Sequence, residues 1–384
     1  MVETPLRRCL MLAVIGAMVL LFLPRSDVGA STYRKPVSQA IRAGCGSDWH
    51  RVSSPSPGTF NTLRGVSGVS QNDAWAVGDA DGFSLALHWD GQNWATTTSP
   101  QATGTLYAVH ALTSTDVWAV GVGFPDPTMH WNGASWTSFP TTGFDGTLRG
   151  VDGATSTDVW AVGNIQDNSG VFQPAILQWT GAAWSVVSGA PVTYGGSLQA
   201  VDVVTATDVW AVGYQYLSDL HTQQPFIEHW DGVDWTESPS QPPFGSGFFS
   251  GVSGISGTNV WAVGTKEPNA SRSLTLAERW DGSSWTIVPT VDLGTTENDL
   301  AAVVTIKPGS AIAAGSYRGN GGFVVPMVQH WNGERWGGMA AFFRPTGNTY
   351  FLGLDVIGSV RWAVGTFQPP SAISSTLIEA SCSS

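Results

Sequence analysis

The tetrapeptide Trp-Ala-Val-Gly occurs six times in the chain, starting at Trp75, Trp118, Trp160, Trp210, Trp261 and Trp362, and a degenerate copy, Ile-Ala-Ala-Gly, starts at Ile312. Successive copies lie 43, 42, 50, 51, 51 and 50 residues apart. A period of this size marks a stack of one supersecondary unit, in which no copy buries its apolar face alone. Around each copy runs the same order of elements: Leu-x-(Gly/Ala)-Val, a turn of the form Ser-x-x-Asp, Val-Trp-Ala-Val-Gly, a variable stretch, then His-Trp-(Asp/Asn)-Gly-x-x-Trp, as in His88-Trp89-Asp90-Gly91 to Trp94. These read as four short strands, a to d. Asp-Gly and Asn-Gly tolerate the positive φ of a tight hairpin, so strand c turns directly into strand d.

All 19 tryptophans fall on three repeat positions: the start of strand b, the end of strand c and the start of strand d. Each can bury on the order of 150–250 Å² between neighbouring sheets. Six complete units run from Leu63 to the strand after Trp336; a seventh supplies only strands a, b and c, at Phe351–Leu354, Arg361–Gly365 and Thr376–Ala380. The segment from Trp49 to Pro55 resembles the strand d segments that begin at Trp94 and Trp235. The expected fold is therefore all-β: a seven-bladed β-propeller of four-stranded blades, closed by the N-terminal strand completing blade 7. The pattern resembles the repeats of bacterial secreted propellers, within the broad class of kelch-like and Asp-box-like propellers, over residues 45 to 382. The kelch double glycine does not recur at a fixed place, and the Ser-x-Asp-x-Gly-x-x-Trp form of the Asp-box is absent. The resemblance implies a fold and leaves function to be argued from the site.

At the N-terminus, Arg7 and Arg8 precede an apolar run from Cys9 to Leu23, followed by Pro24 and the small residues Val28-Gly29-Ala30. That is the layout of a signal peptide. The run of 15 residues is shorter than the roughly 20 of a membrane span. The expected organisation is a signal peptide over 1–30, a linker over 31–44 and the propeller over 45–384. The chain is thus expected to be secreted, extracellular or at the cell surface, not membrane-embedded after cleavage, and monomeric. Cys45 and Cys382 then meet an oxidising compartment. Aligning Cys382 with Asp231 of the c–d turn in the fourth unit, and Cys45 with the same Asp231 from the other side, places both at the chain break of blade 7, where they are expected to pair as a disulfide.

Few residues offer chemistry. With 17 Lys and Arg against 29 Asp and Glu, a net charge of −12 argues against a phosphate-binding surface, which needs clustered cations, and nucleic acid is not an expected partner. His88, His130, His229 and His330 share one repeat position, so they spread around the ring; the expected role is a hydrogen bond inside each blade. His50, His110 and His221 show no ligand spacing, and no metal site or cofactor is expected. Asp73, Asp116, Asp158 and Asp208 likewise repeat, and are expected to bond turn amides. Asp79-Ala80-Asp81-Gly82 is too short for a calcium loop.

Arg64, Tyr107 and Arg149 share the second position of the strand a motif in three consecutive units, a candidate anion-binding constellation. The a–b and c–d turns are short and uniform, whereas the b–c and d–a loops vary, and alternation of strand direction puts both variable sets on one face. That face includes Asp126, Phe144, Asn164, Tyr194, Lys266, Glu267 and Tyr317. The candidate ligand-binding residues are Arg64, Tyr107, Arg149, Tyr214, Tyr216, Arg318 and Phe343. The expected function is non-catalytic binding or scaffolding of a glycan or protein ligand, with no catalytic residue assigned. The alternative is an extracellular glycan-active enzyme, of hydrolase or lyase type, with its site at the axial mouth.

Overall fold

In blade 1, strand a (Asn61–Ser70), strand b (Asp73–Ala80), strand c (Phe83–Trp89) and strand d (Trp94–Thr96) pair antiparallel in that order. The computed structural model describes residues 47–98, 103–123, 126–218, 221–241, 245–340, 346–370 and 373–382. The expected signal peptide and linker, with Cys45 and Phe343, lie outside them. Five further sheets of the same order occupy 104–138, 146–187, 196–237, 246–287 and 298–340. The seventh takes strands a to c from Asn348–Ile357, Val360–Gln368 and Ser375–Cys382, and its strand d from His50–Arg51. His50 pairs with Ala380 and Arg51 with Glu379, which closes the ring with the N-terminal strand. No helix occurs among the described residues.

The two faces of the ring differ as the repeat implies. Every a–b turn has two residues, as at 71–72 and 358–359, and every hairpin from c to d has four, as at 90–93. The b–c connection runs from two residues at 81–82 to six at 217–222. In the c–d hairpin the Asp90 carboxylate reinforces the turn: its Oδ1 accepts from the amides of Gln92 and Asn93 at 2.8 and 2.7 Å, beside the Asp90 N–H to Asn93 carbonyl bond at 3.3 Å.

Tryptophan holds neighbouring blades together. The strand b Trp of one blade packs on the strand c and strand d Trp of the next, as Trp75 does on Trp131 and Trp136 at 5.0 and 5.4 Å between ring centroids. The same trio recurs for Trp118, Trp160, Trp210 and Trp261, and around the closure, where Trp362 meets Trp89 and Trp94 at 5.3 and 5.2 Å. The junction of blades 6 and 7 differs. Ile312 replaces the strand b Trp there and shares a cluster with Trp49, Phe351 and Leu377.

Within a blade, His88 Nε2 lies 2.8 Å from Asp73 Oδ1, His130 2.7 Å from Asp116 and His229 2.8 Å from Asp208. The histidines are therefore structural, as their repetition implied. The aspartates are not turn caps. The turn amides of Asn72, Thr115, Thr157 and Thr207 instead bond the hydroxyls of Ser70, Thr113, Thr155 and Thr205. These hydroxyls come two residues earlier, at the end of strand a, which frees each Asp to reach across to strand c.

Candidate functional site

All seven innermost strands share one irregularity. In every blade the a–b register slips inside the Leu-x-(Gly/Ala)-Val motif or its Phe variant, as between Leu63 and Gly65, Leu148 and Gly150, and Phe351 and Gly353. The skipped residue is a β-bulge, which bends the strand and re-aims a side chain. The Trp-Ala-Val-Gly glycine makes room for it: a methyl group on Gly78 would run into the Thr62 carbonyl oxygen. After the bulge the residue alternates Gly and Ala from blade to blade. At Gly150 an added methyl would lie 2.9 Å from Cα of Ala200 in the next blade, so the inner strands meet backbone to backbone.

The bulged residues line an axial cavity of about 180 Å³. Blades 1 to 4 contribute Arg64, Tyr107, Arg149 and Gln199; blades 5 to 7 contribute Ser250, Ala301 and Leu352. One arc is thus cationic and aromatic, the other small and uncharged. The Arg64 and Arg149 guanidinium carbons lie 5.2 and 5.1 Å from the centroid of the Tyr107 ring, within cation–π range. Arg64 Nε also faces Asp79 Oδ1 at 3.4 Å. That pair lacks hydrogen-bond geometry, whereas Arg149 has no carboxylate within ion-pair distance among the described residues and its Nε is buried without an acceptor. Tyr214, on strand b of blade 4, meets Tyr216 edge-on at 5.3 Å; burial and then the Tyr216 contact push its hydroxyl up to about 12, against the opposing charge of Arg149.

Three residues further along strand a lies a second ring. Ser67 accepts from Ala111 N–H at 3.1 Å, Asp152 from Val203 at 2.6 Å, Asp202 from Gly254 at 2.9 Å, Ser253 from Thr305 at 3.0 Å and Asp355 from Gly68 at 2.9 Å. Each bond joins one blade to the next. His110 takes this position in blade 2 and reaches Asp152 Oδ1 at 2.7 Å. Burial opposes a charge on His110, but the Asp152 carboxylate, assisted by Asp355, outweighs it and raises the pKa. Burial, reinforced by Asp152, raises Asp202 well above the usual carboxylate range, and burial pushes Asp355 up to about 6. This belt has no counterpart in the sequence reading, because Ser, His, Asp and Val share the position and none of them holds it in every blade. A search for recurring side chains passes over it.

Of the sequence-predicted residues, the fold brings Arg64, Tyr107 and Arg149 together, with Tyr214 within electrostatic reach. Tyr216 lies one step farther out along its strand. Arg318 is engaged elsewhere: its guanidinium bonds Glu297 Oε2 at 2.7 Å and the Gly322 carbonyl at 2.8 Å. Phe343 lies outside the described residues, and Cys382 ends strand c of blade 7, buried.

The chain is a seven-bladed β-propeller with an asymmetric axial cavity. It is similar in fold to virginiamycin B lyase from Staphylococcus aureus (TM-score 0.60, 10% identity, covering 88% of this chain and 99% of that one) and to YCF48 bound to D1 peptide (0.55, 12%, 89% and 100%). It is also similar to the GH74 xyloglucanase from Xanthomonas campestris (0.54, 12%), covering 86% of this chain and 55% of that one. At these identities the likeness shows the fold alone. No protein-family model matches the chain, and no curated protein matches it.

Proposed function

We propose that the protein is a secreted, non-catalytic binding or scaffold propeller that takes a protein or glycan ligand on the face built by the b–c and d–a loops. One observation carries this reading. Among the described residues, the five exposed aromatic side chains, Phe60, Phe83, Phe172, Tyr194 and Phe323, all lie in or beside those loops. The exposed aliphatic Leu293 and Ile373 join them; the opposite end exposes Val69, Val233 and Ile255 but no aromatic. Aromatic side chains concentrated on one face mark an interaction surface rather than chance exposure. Binding of the mature chain to a peptide and glycan array tests it. Phe60→Ser, Phe83→Ser and Phe323→Ser combined should abolish capture without lowering the melting temperature; capture that survives them and is lost on altering the c–d turns would refute the reading.

Asp299 supports the enzymatic alternative. It stands near the start of strand a in blade 6, where burial pushes its carboxyl up to about 7, and its charge acts on the Tyr350 hydroxyl of blade 7. A carboxyl that keeps its proton near neutral pH can act as a general acid where a substrate reaches it. Glycan turnover that is lost in Asp299→Asn would favour it over binding.

The export and the clasp belong to the same proposal. A Cys45–Cys382 disulfide would replace, in blade 7, the covalent c–d hairpin that the other blades possess, and would close a loop of nearly the whole mature chain. Peptide mapping of the non-reduced protein should find the two cysteines linked; alkylatable thiols at both would count against it.

A further inference from the structure

We infer that the cationic arc of the axial cavity is a carboxylate receptor: Arg149 and Arg64 pair with the anion, Tyr107 holds both guanidinium groups, and the ligand is a peptide that enters carboxylate first. The inference rests on the variable face being a binding surface and names the group that its centre would recognise.

The arc is built at electrostatic cost. Two guanidinium groups are held near one phenol ring, and only Arg64 has a carboxylate beside it. Two like charges share a confined space with a single counter-charge, so one positive charge is left over in a chain whose net charge is −12. Such an arrangement is stabilised when an anion arrives. Planar guanidinium donors match a carboxylate in geometry, and each charge-assisted hydrogen bond is roughly twice as strong as a neutral one. Bulges place these residues in every blade, so their aim is fixed by backbone register rather than by a loop.

Size and polarity narrow the ligand. A cavity of about 180 Å³ admits a carboxylate with a few attached carbon atoms. Roughly 10 Å deeper, at three strand residues of about 3.3 Å each, lies the belt of His110, Asp152, Asp202 and Asp355, already bonded among themselves and to neighbouring backbone amides. The opposite wall, Ser250, Ala301 and Leu352, offers no charge and accepts aliphatic carbon. The rim favours a peptide over a sugar acid. Its exposed large apolar residues are mostly Phe, with Ile373 and Leu293, at 55% and 38% exposure. Aliphatic side chains cannot bond the hydroxyls of a sugar, but they can pack against apolar residues of a peptide.

Titration calorimetry of the mature protein provides the test. The probes are an N-acetylated Phe-Ala-Phe-Ala tetrapeptide as free acid, the same peptide as C-terminal amide, and galacturonate. The free acid should bind about tenfold or more tightly than the amide. Arg149→Ala should erase that preference, and Arg149→Lys should keep part of it while guarding against a folding defect. Acid and amide binding alike, but lost in the Phe60→Ser, Phe83→Ser, Phe323→Ser variant, would overturn the carboxylate assignment and leave the binding face standing. Arg149-dependent binding of galacturonate alone would overturn the peptide assignment, and no binding of any probe would overturn the inference as a whole.

Discussion

At the periphery, one contact is made six times: a strand b Trp on the strand c and strand d Trp of the next blade. At the axis, seven equivalent bulged positions carry six residue types: Arg, Tyr, Arg, Gln, Ser, Ala and Leu. Each region repeats its own backbone geometry from blade to blade, so the difference lies in what the side chains are for. Identical side chains at the periphery solve the same packing problem seven times, with one imperfect solution at Ile312. A bulge repeated in every blade but filled differently is a socket kept constant while its contents vary. Physical economy puts fold in the repeated part and recognition in the unrepeated part.

The largest effect expected from this contrast is at the periphery. Trp118 is buried against Trp179 and Trp184 at 4.8 and 5.2 Å. Trp118→Ala should cost about 3–5 kcal/mol of stability, read as a fall in the denaturation midpoint. A loss below 1 kcal/mol would mean that the blades do not rely on these trios.

A smaller effect sharpens the contrast within the periphery. Glu228, Glu278 and Glu379 share a buried strand c position, where burial pushes each up to about 7. The fold favours their protonated form, so the stability they contribute is full below the ordinary carboxylate range and is lost as pH rises through about 7. Gln329 holds the same position in blade 6 and is satisfied twice: its Oε1 accepts from Val291 N–H at 3.0 Å, and its Nε2 donates to the Val291 carbonyl at 2.8 Å. Glu228→Gln with Glu278→Gln should raise stability at pH 8 by on the order of 1–3 kcal/mol and flatten the pH dependence of unfolding. An unchanged pH profile would show that these carboxyls ionise freely.

The smallest effect is expected at the axis. Arg64→Ala with Arg149→Ala removes two half-buried cations that repel one another, so stability should change by no more than about 0.5 kcal/mol. A large destabilisation would make the arc part of the fold.

Much of this could be read from the sequence, for physical reasons that differ by region. Tryptophan spacing carried the blade number and the closure by Trp49, because a repeated large side chain leaves a period. The shared motif position brought Arg64, Tyr107 and Arg149 together before any coordinates. The bulge itself left no mark, since Leu-x-Gly-Val reads as an ordinary strand; it shows only in the paired register of strands a and b. Phe83 and Phe172 escaped notice because the first residue of strand c looks like a core position by alternation, yet both stand exposed at 53% and 52%. Arg318 had the right charge on the right face, but Glu297 and Gly322 already occupy it.

Hydrogen–deuterium exchange of the mature protein, with and without a saturating acidic-ended peptide, tests the division between repeated fold and unrepeated site most directly. Protection confined to the bulged segments 63–66, 106–109 and 148–151 and to the variable loops is the result predicted. Protection at the uniform turns, such as 90–93 and 132–135, with none at the bulges would contradict it.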